Sequence, residues 1–175
     1  MSRRPTLLTV VLLVGLAIQP AHAQQGPTQA ELDAAASNAA DWLLPNHDYG
    51  GQRFVDATEI TRDNAGSLGP ACVFETRELR PFYTNPLVYR GIMYLTTSYS
   101  TIALDAATCQ VQWRHDWTLK GRPNWPQSRG VALKEGVLIR GTTDGYLLAL
   151  DALTGRLLWD RAAAEADRGE TFTMA

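Results

Sequence analysis

Ala103-Leu104-Asp105-Ala106-Ala107-Thr108-Cys109-Gln110-Val111-Gln112-Trp113 returns 46 residues later as Ala149-Leu150-Asp151-Ala152-Leu153-Thr154-Gly155-Arg156-Leu157-Leu158-Trp159. The shared frame is Ala-Leu-Asp-Ala-x-Thr-x-x-x-x-Trp. Self-similarity at this spacing marks a repeat architecture, and the offset is the length of one four-stranded propeller blade. A blade cannot bury both of its faces alone, so each copy needs a neighbour on either side. After its leader the chain of 175 residues has room for about three blades. The predicted fold class is all-β, a partial β-propeller held by tryptophan docking.

Each residue of the motif has a structural task. Asp105 and Asp151 are placed to accept from backbone amides two residues on and fix a turn, and Thr108 and Thr154 do the same more weakly. Gly155 suits the positive-φ position such a turn requires. Trp113 and Trp159 are expected to be buried between adjacent sheets, each indole N–H on a backbone acceptor. In the first copy Cys109 stands where the second has Gly155. A non-glycine there costs about 1 kcal/mol of backbone strain, which a covalent tie could offset.

Cys72 is the other cysteine. An even count in an oxidising compartment is compatible with one bridge, and two buried free thiols are the alternative. The mismatch at Cys109 favours the bridge, so Cys72–Cys109 is predicted. Closing a loop of 37 residues is worth about 3–4 kcal/mol in the chain-entropy account.

The motifs lie within a regular succession of strand and turn signals. Ala71–Thr76 is a strand candidate. Pro86–Tyr89, the turn Arg90-Gly91 and Ile92–Thr97 read as a hairpin rich in β-branched and aromatic residues, followed by Tyr99–Leu104 and Gln110–Trp113. The second round runs Gly130–Leu133, Glu135-Gly136, Val137–Arg140, Asp144-Gly145, Tyr146–Leu150, Thr154-Gly155 and Arg156–Trp159. Gly91 to Gly136 is one residue shorter than Trp113 to Trp159, which places an insertion at the Asp144-Gly145 turn. Upstream, residues 24–40 form a polar lead-in with a short helix from Thr28, and residues 41–70 an irregular opening segment along the propeller's edge. The repeats occupy 71–175.

Residues 1–23 read as an export signal: Arg3 and Arg4, an apolar run Leu7–Ile18, then Ala21-His22-Ala23 as a small-x-small cleavage site. The apolar run, about 12 residues, is too short for a bilayer span of about 30 Å, so no stable membrane span is expected and the predicted location is the periplasm. Arg3-Arg4 also has a loose twin-arginine character, which leaves the export route open. The whole chain carries a net charge of −2, and loss of Arg3 and Arg4 makes it about −4, which gives no long-range attraction for nucleic acid. His22, His47 and His115 show no metal-ligand spacing. There is no Cys-x-x-Cys-His haem attachment, phosphate loop or nucleophile elbow.

From Asp41 to Ala175 the chain resembles the N-terminal part of the pyrroloquinoline-quinone (PQQ) dependent alcohol dehydrogenases. The resemblance rests on Trp42…Asn46…Asp48-Tyr49…Arg53, Ile60…Asp63-Asn64…Leu68, the hairpin Pro86-Leu87-Val88…Gly91-Ile92-Met93-Tyr94, the two tryptophan motifs, and Ser128-Arg129-Gly130-Val131-Ala132. It implies an eight-bladed propeller with PQQ near its axis and a Ca²⁺ ion that polarises the quinone. It also implies a carboxylate base, with base and metal ligands in later blades than this chain supplies. The expected partners are therefore the remaining blades or a complementing chain, with a cytochrome c as a possible electron acceptor.

The resemblance carries over to few residues. Arg129 matches an arginine beside the cofactor, and a planar guanidinium suits a quinone bearing three carboxylates. Thr173, or less favourably Thr171, matches a threonine that bonds a cofactor carboxylate. Two departures stand out: Pro123-Asn124 replaces an adjacent cysteine pair common in the family, and Tyr83 falls where many members place a glutamate. Tyr83 brings one hydrogen bond and no charge, and Trp125 is placed to stack on the ring in place of the cysteines. The implied function is that of an N-terminal fragment of such an enzyme, inactive alone. The competing reading is a non-catalytic envelope scaffold built on the same repeat.

Overall fold

Two antiparallel four-stranded sheets carry the two copies of the motif in the computed structural model, which describes residues 26–172. Residues 1–23, expected to form an export signal, and Thr173 lie outside the described residues. The first sheet is β1 (Leu87–Tyr89), β2 (Ile92–Thr96), β3 (Ser100–Asp105) and β4 (Val111–Asp116), paired in sequence order. The second repeats it as β5 (Ala132–Lys134), β6 (Val137–Gly141), β7 (Tyr146–Asp151) and β8 (Leu157–Ala162).

Local chemistry explains the match. Arg90-Gly91 and Glu135-Gly136 are two-residue hairpin loops with φ 48° and 79°, and 48° and 80°, both positive as the tight turn between right-twisted strands requires. The next turns are equally parallel. Asp105 accepts from the Ala107 and Thr108 amides at 3.1 and 2.8 Å, and Asp151 from those of Leu153 and Thr154 at 3.1 and 2.9 Å. Each aspartate also accepts from its threonine hydroxyl at 2.8 Å. A register shift follows Ala103 in one blade and Ala149 in the other. The β2–β3 loop spans residues 97–99 and the β6–β7 loop 142–145, so the extra residue falls at the Asp144-Gly145 turn.

The main core lies between the sheets. Leu87, Tyr94, Ala103 and Trp113 meet Val131, Leu138, Leu148 and Leu150 there. Burying an aliphatic side chain of this kind contributes about 1.5–3 kcal/mol. The Trp113 indole donates to Ala152 O at 3.0 Å, and its ring lies so close over Gly155 that a Cβ at that position would overlap it. Trp159 departs from the expected burial: it is 41% exposed, because no third sheet lies over it among the described residues.

Cys72 and Cys109 are bridged, with Cα atoms 5.8 Å apart, and Cys109 holds φ 59° where Gly155 holds 69°. The strand expected at Ala71–Thr76 is corrected. The segment is extended but has no ladder partner among the described residues, because the first sheet is complete without it. It crosses the outer face of that sheet as a strap. Cys72, Phe74, Thr76 and Glu78 are half-buried, while Val73, Glu75, Arg77 and Leu79 are exposed. Phe74 packs on Leu95, Ile102 and Leu104.

The lead-in helix α1 (Gln29–Asp33) is capped by Thr28, whose side chain accepts from the Glu31 amide while the Glu31 carboxylate accepts from the Thr28 amide, a reciprocal cap that satisfies two orphan donors. Leu32 anchors it in the core. Trp42 forms an isolated bridge to Val88, so the opening segment follows the free edge of β1. Among the described residues no helix is long and apolar enough to cross a membrane.

Candidate functional site

Antiparallel connection sorts the loops by end. The tight turns 90–91, 106–109, 135–136 and 152–155 lie at one end of the blades. At the other lie the approach to β1 (residues 77–86), the β2–β3 loop, the β4–β5 connection (117–131), the β6–β7 loop and the segment after β8. Tyr83, Trp125, Arg129 and Thr171 all fall at this second end.

Hydrogen bonds fasten these segments to one another. The Asn85 amide donates to Arg129 O at 2.7 Å, which sets the Tyr83 segment beside Arg129. The Asn124 amide donates to Thr143 O at 2.9 Å, and the Thr171 hydroxyl to Asn124 O at 3.1 Å. Ser98 Oγ donates to Pro126 O at 2.7 Å. The connection is thus tied to both blades on either side of Trp125, which sits at φ 54°, a left-handed backbone that a bulky residue adopts only when its surroundings fix it.

The first turn of the connection hangs on Asp144. Its carboxylate accepts from Trp117 Nε1 at 2.9 Å, Thr142 Oγ1 at 2.6 Å and the Lys120 amide at 2.7 Å. Burial opposes its charge, but the donors from Thr142, Lys120 and Trp117 prevail and hold the carboxyl below the usual range. Lys120 Nζ lies 5.0 Å from the ring centroids of both Trp117 and Tyr146, and it pairs with Asp160 at the rim.

The candidate ligand residues point outward from this framework. Trp125 and Tyr83 are 61% and 53% exposed, and Arg129 is exposed. Among the described residues the Arg129 guanidinium makes no ion pair or hydrogen bond, so all its donors are open to an anion. Thr171 has already committed its proton to Asn124 and offers only an acceptor. The arrangement fits an aromatic polycarboxylate in part: a free guanidinium, a phenol and an exposed indole share one end. No group of three or more His, Cys, Asp or Glu converges among the described residues, so none is assigned to a calcium ion.

Of two clefts, one lies under the lead-in helix and the other at this same end. An apolar groove of about 340 Å³ runs beneath α1 between Leu32, Leu43, Leu87 and Leu133. A polar one of about 270 Å³ separates Arg122 and Asn124 from Asp167 and Gly169. Sequence reading missed three polar groups that support the end face: Arg140 and Asp144, both buried, and the half-buried Glu78. Arg140 had a signal. It alternates with Leu138 along β6, so period two places a cation on the core-facing side.

Residues 42–167 match the PQQ family described as the glucose/ethanol/alcohol dehydrogenase β-propeller domain. The quinohemoprotein alcohol dehydrogenase ADH IIB of Pseudomonas putida is 33% identical over 97% of this chain and 25% of its own length. The 1-butanol dehydrogenase (cytochrome c) of Thauera butanivorans is 33% identical over 77% of this chain and 20% of its own. Among solved structures, the quinohemoprotein alcohol dehydrogenase ADHIIG of Pseudomonas putida HK5 superposes with a TM-score of 0.76 at 29% identity, covering 86% of this chain and 23% of its own. A europium-containing methanol dehydrogenase gives 0.71 at 28%, covering 82% and 27%. The chain spans about a quarter of the length of these relatives. A match that runs through both blades and the connection bearing Trp125 and Arg129 identifies the chain as a member of the PQQ-type alcohol dehydrogenase β-propeller family.

Proposed function

We infer that the chain is the N-terminal portion of an exported, periplasmic PQQ-dependent alcohol dehydrogenase, and that its end face forms one wall of the cofactor site. The observation that carries this reading is Arg129, exposed and unpaired among the described residues, on a connection fastened to both blades. Arg129 would hold a cofactor carboxylate, Tyr83 would add one hydrogen bond, and Trp125 would offer its ring for stacking. Thr173 would bond a second carboxylate, with Thr171 keeping Asn124 in place. Bound PQQ supplies the hydride acceptor for alcohol oxidation; this chain's residues bind and orient it and exclude water from one side. The Ca²⁺ ion and the base would be held by further blades, and a cytochrome c is the fitting electron acceptor.

Two measurements test this. PQQ titrated onto the purified chain should bind, and Arg129→Ala should weaken binding by at least about tenfold, as loss of a charge-assisted hydrogen bond predicts. The same chain with PQQ and Ca²⁺ should show no dye-linked alcohol oxidation. Turnover would refute the fragment reading. Absence of PQQ binding, with no tryptophan-docking repeats encoded beyond Ala175, would favour an envelope scaffold.

A further inference from the structure

Arg140 projects from β6 into the seam between the blades and is 3% exposed. Its guanidinium donates to Thr101 Oγ1 at 3.1 Å, Thr97 O at 3.2 Å and Ser98 O at 3.3 Å. These three acceptors belong to the other blade, a longer contact runs from Nε to Gly141 O in its own strand at 3.5 Å, and all four acceptors are neutral. Among the described residues no carboxylate lies within ion-pair distance of it. Glu78 and Asp144 act on it only through space, and both are engaged elsewhere. Glu78 accepts from Thr97, Ser100 and Arg114, and Asp144 from Trp117 and Thr142. Burial pushes the Arg140 pKa down to about 10, so it stays charged at neutral pH.

A buried cation held by neutral acceptors is a costly way to join two sheets, since an apolar side chain would fill the same seam without desolvating a charge. What the guanidinium adds is direction. Its Nη2 reaches the successive carbonyls of Thr97 and Ser98 while Nη1 holds Thr101 Oγ1, and such a fork has a fixed geometry that an ammonium lacks. The same Ser98 that accepts at its carbonyl donates through Oγ to Pro126 O at 2.7 Å. Pro126 follows Trp125. The line therefore runs from Arg140 in the second blade, through Ser98 in the first, to the connection that bears Trp125 and Arg129.

We propose that Arg140 is a positioning residue for the cofactor wall: it fixes the β2–β3 loop, and through Ser98 it holds the Trp125–Arg129 stretch in the orientation that receives the ligand. This rests on the reading of that stretch as a cofactor wall. The bent backbone at Trp125 agrees with it, because a left-handed tryptophan flanked by hydrogen bonds on both sides is a held conformation and not a resting one.

Amide hydrogen exchange on the purified chain tests the positioning without any ligand. Arg140→Gln should speed exchange at Asn85, Asn124 and Gln127 by about tenfold or more, while Leu148 and Leu150 in β7 keep their protection, as expected for local opening. Ser98→Ala cuts the same line without touching the buried charge and should reproduce the change at Asn124 and Gln127. Unchanged loop amides in Ser98→Ala, or equal acceleration across both sheets in Arg140→Gln, would overturn the proposal. Both variants should also weaken PQQ binding by about tenfold, the loss of one well-formed hydrogen bond's worth of orientation. Arg129→Ala separates the two claims, for it should lose PQQ with loop protection intact. A wild-type chain that binds no PQQ sinks the cofactor reading and leaves the exchange result to decide the positioning.

Discussion

Trp113 and Trp159 occupy the same place in the same motif, opposite Ala103 and Ala149 in sheets of the same order. Trp113 is 9% exposed and donates to Ala152 O, with Tyr94 Oη on the same carbonyl. Trp159 is 41% exposed beside Leu153 at 58% and Leu158 at 38%. The difference shows that docking is a property of a pair of blades. The motif supplies both halves of the joint, a tryptophan for the sheet ahead and a bare turn for the tryptophan behind.

Trp113→Ala should cost about 3–5 kcal/mol, as for other buried aromatics, and Trp159→Ala less than about 1 kcal/mol, because its ring is uncovered; urea unfolding of the two variants measures both. Equal losses would mean that Trp159 is covered in solution.

The turns differ in the same sense. Cys109 is held at φ 59° by the bridge to Cys72. The double variant Cys72→Ala/Cys109→Gly should lose the loop constraint, about 3–4 kcal/mol, and regain about 1 kcal/mol of backbone strain. A net loss of about 2–3 kcal/mol in the same assay checks it. Gly155→Ala should cost about 2–3 kcal/mol through overpacking against Trp113 and strain at φ 69°, and combining it with Trp113→Ala should recover most of the overpacking part.

The smallest expected effect concerns acid. The Asp144 carboxyl is depressed in the fold, so its stabilising contribution is complete above the ordinary carboxylate value of about 3.9. It is lost as pH falls through the lowered value. Asp144→Asn, which turns one acceptor into a donor facing the Lys120 amide or the Trp117 indole, should cost about 2 kcal/mol at pH 7 and flatten that acid limb. An unchanged limb would assign acid sensitivity to other carboxylates.

The repeat made the blades legible before any coordinate. Turn chemistry at Asp105, Thr108, Asp151 and Gly155 is local and survives in sequence, and the mismatch of Cys109 with Gly155 pointed to its partner. The strap was misread because alternation along Cys72, Phe74, Thr76 and Glu78 reveals which side faces the protein but not whether the backbone has a ladder partner. The candidate site was legible as residue types, and less so as an assembly. Arg140, Ser98 and Asp144 act across the seam between blades, a relation that no stretch of either repeat contains.

The Cys72–Cys109 bridge also constrains how this sequence can vary. A single change of Cys109 to the glycine of the second repeat would relax the turn yet leave a half-exposed thiol at position 72, able in an oxidising compartment to join two molecules covalently. A single change at Cys72 would leave the converse, an unpaired thiol on a left-handed turn. The two positions therefore pass through variation as a unit, and either substitution alone would announce itself as a disulfide-linked dimer on a non-reducing gel.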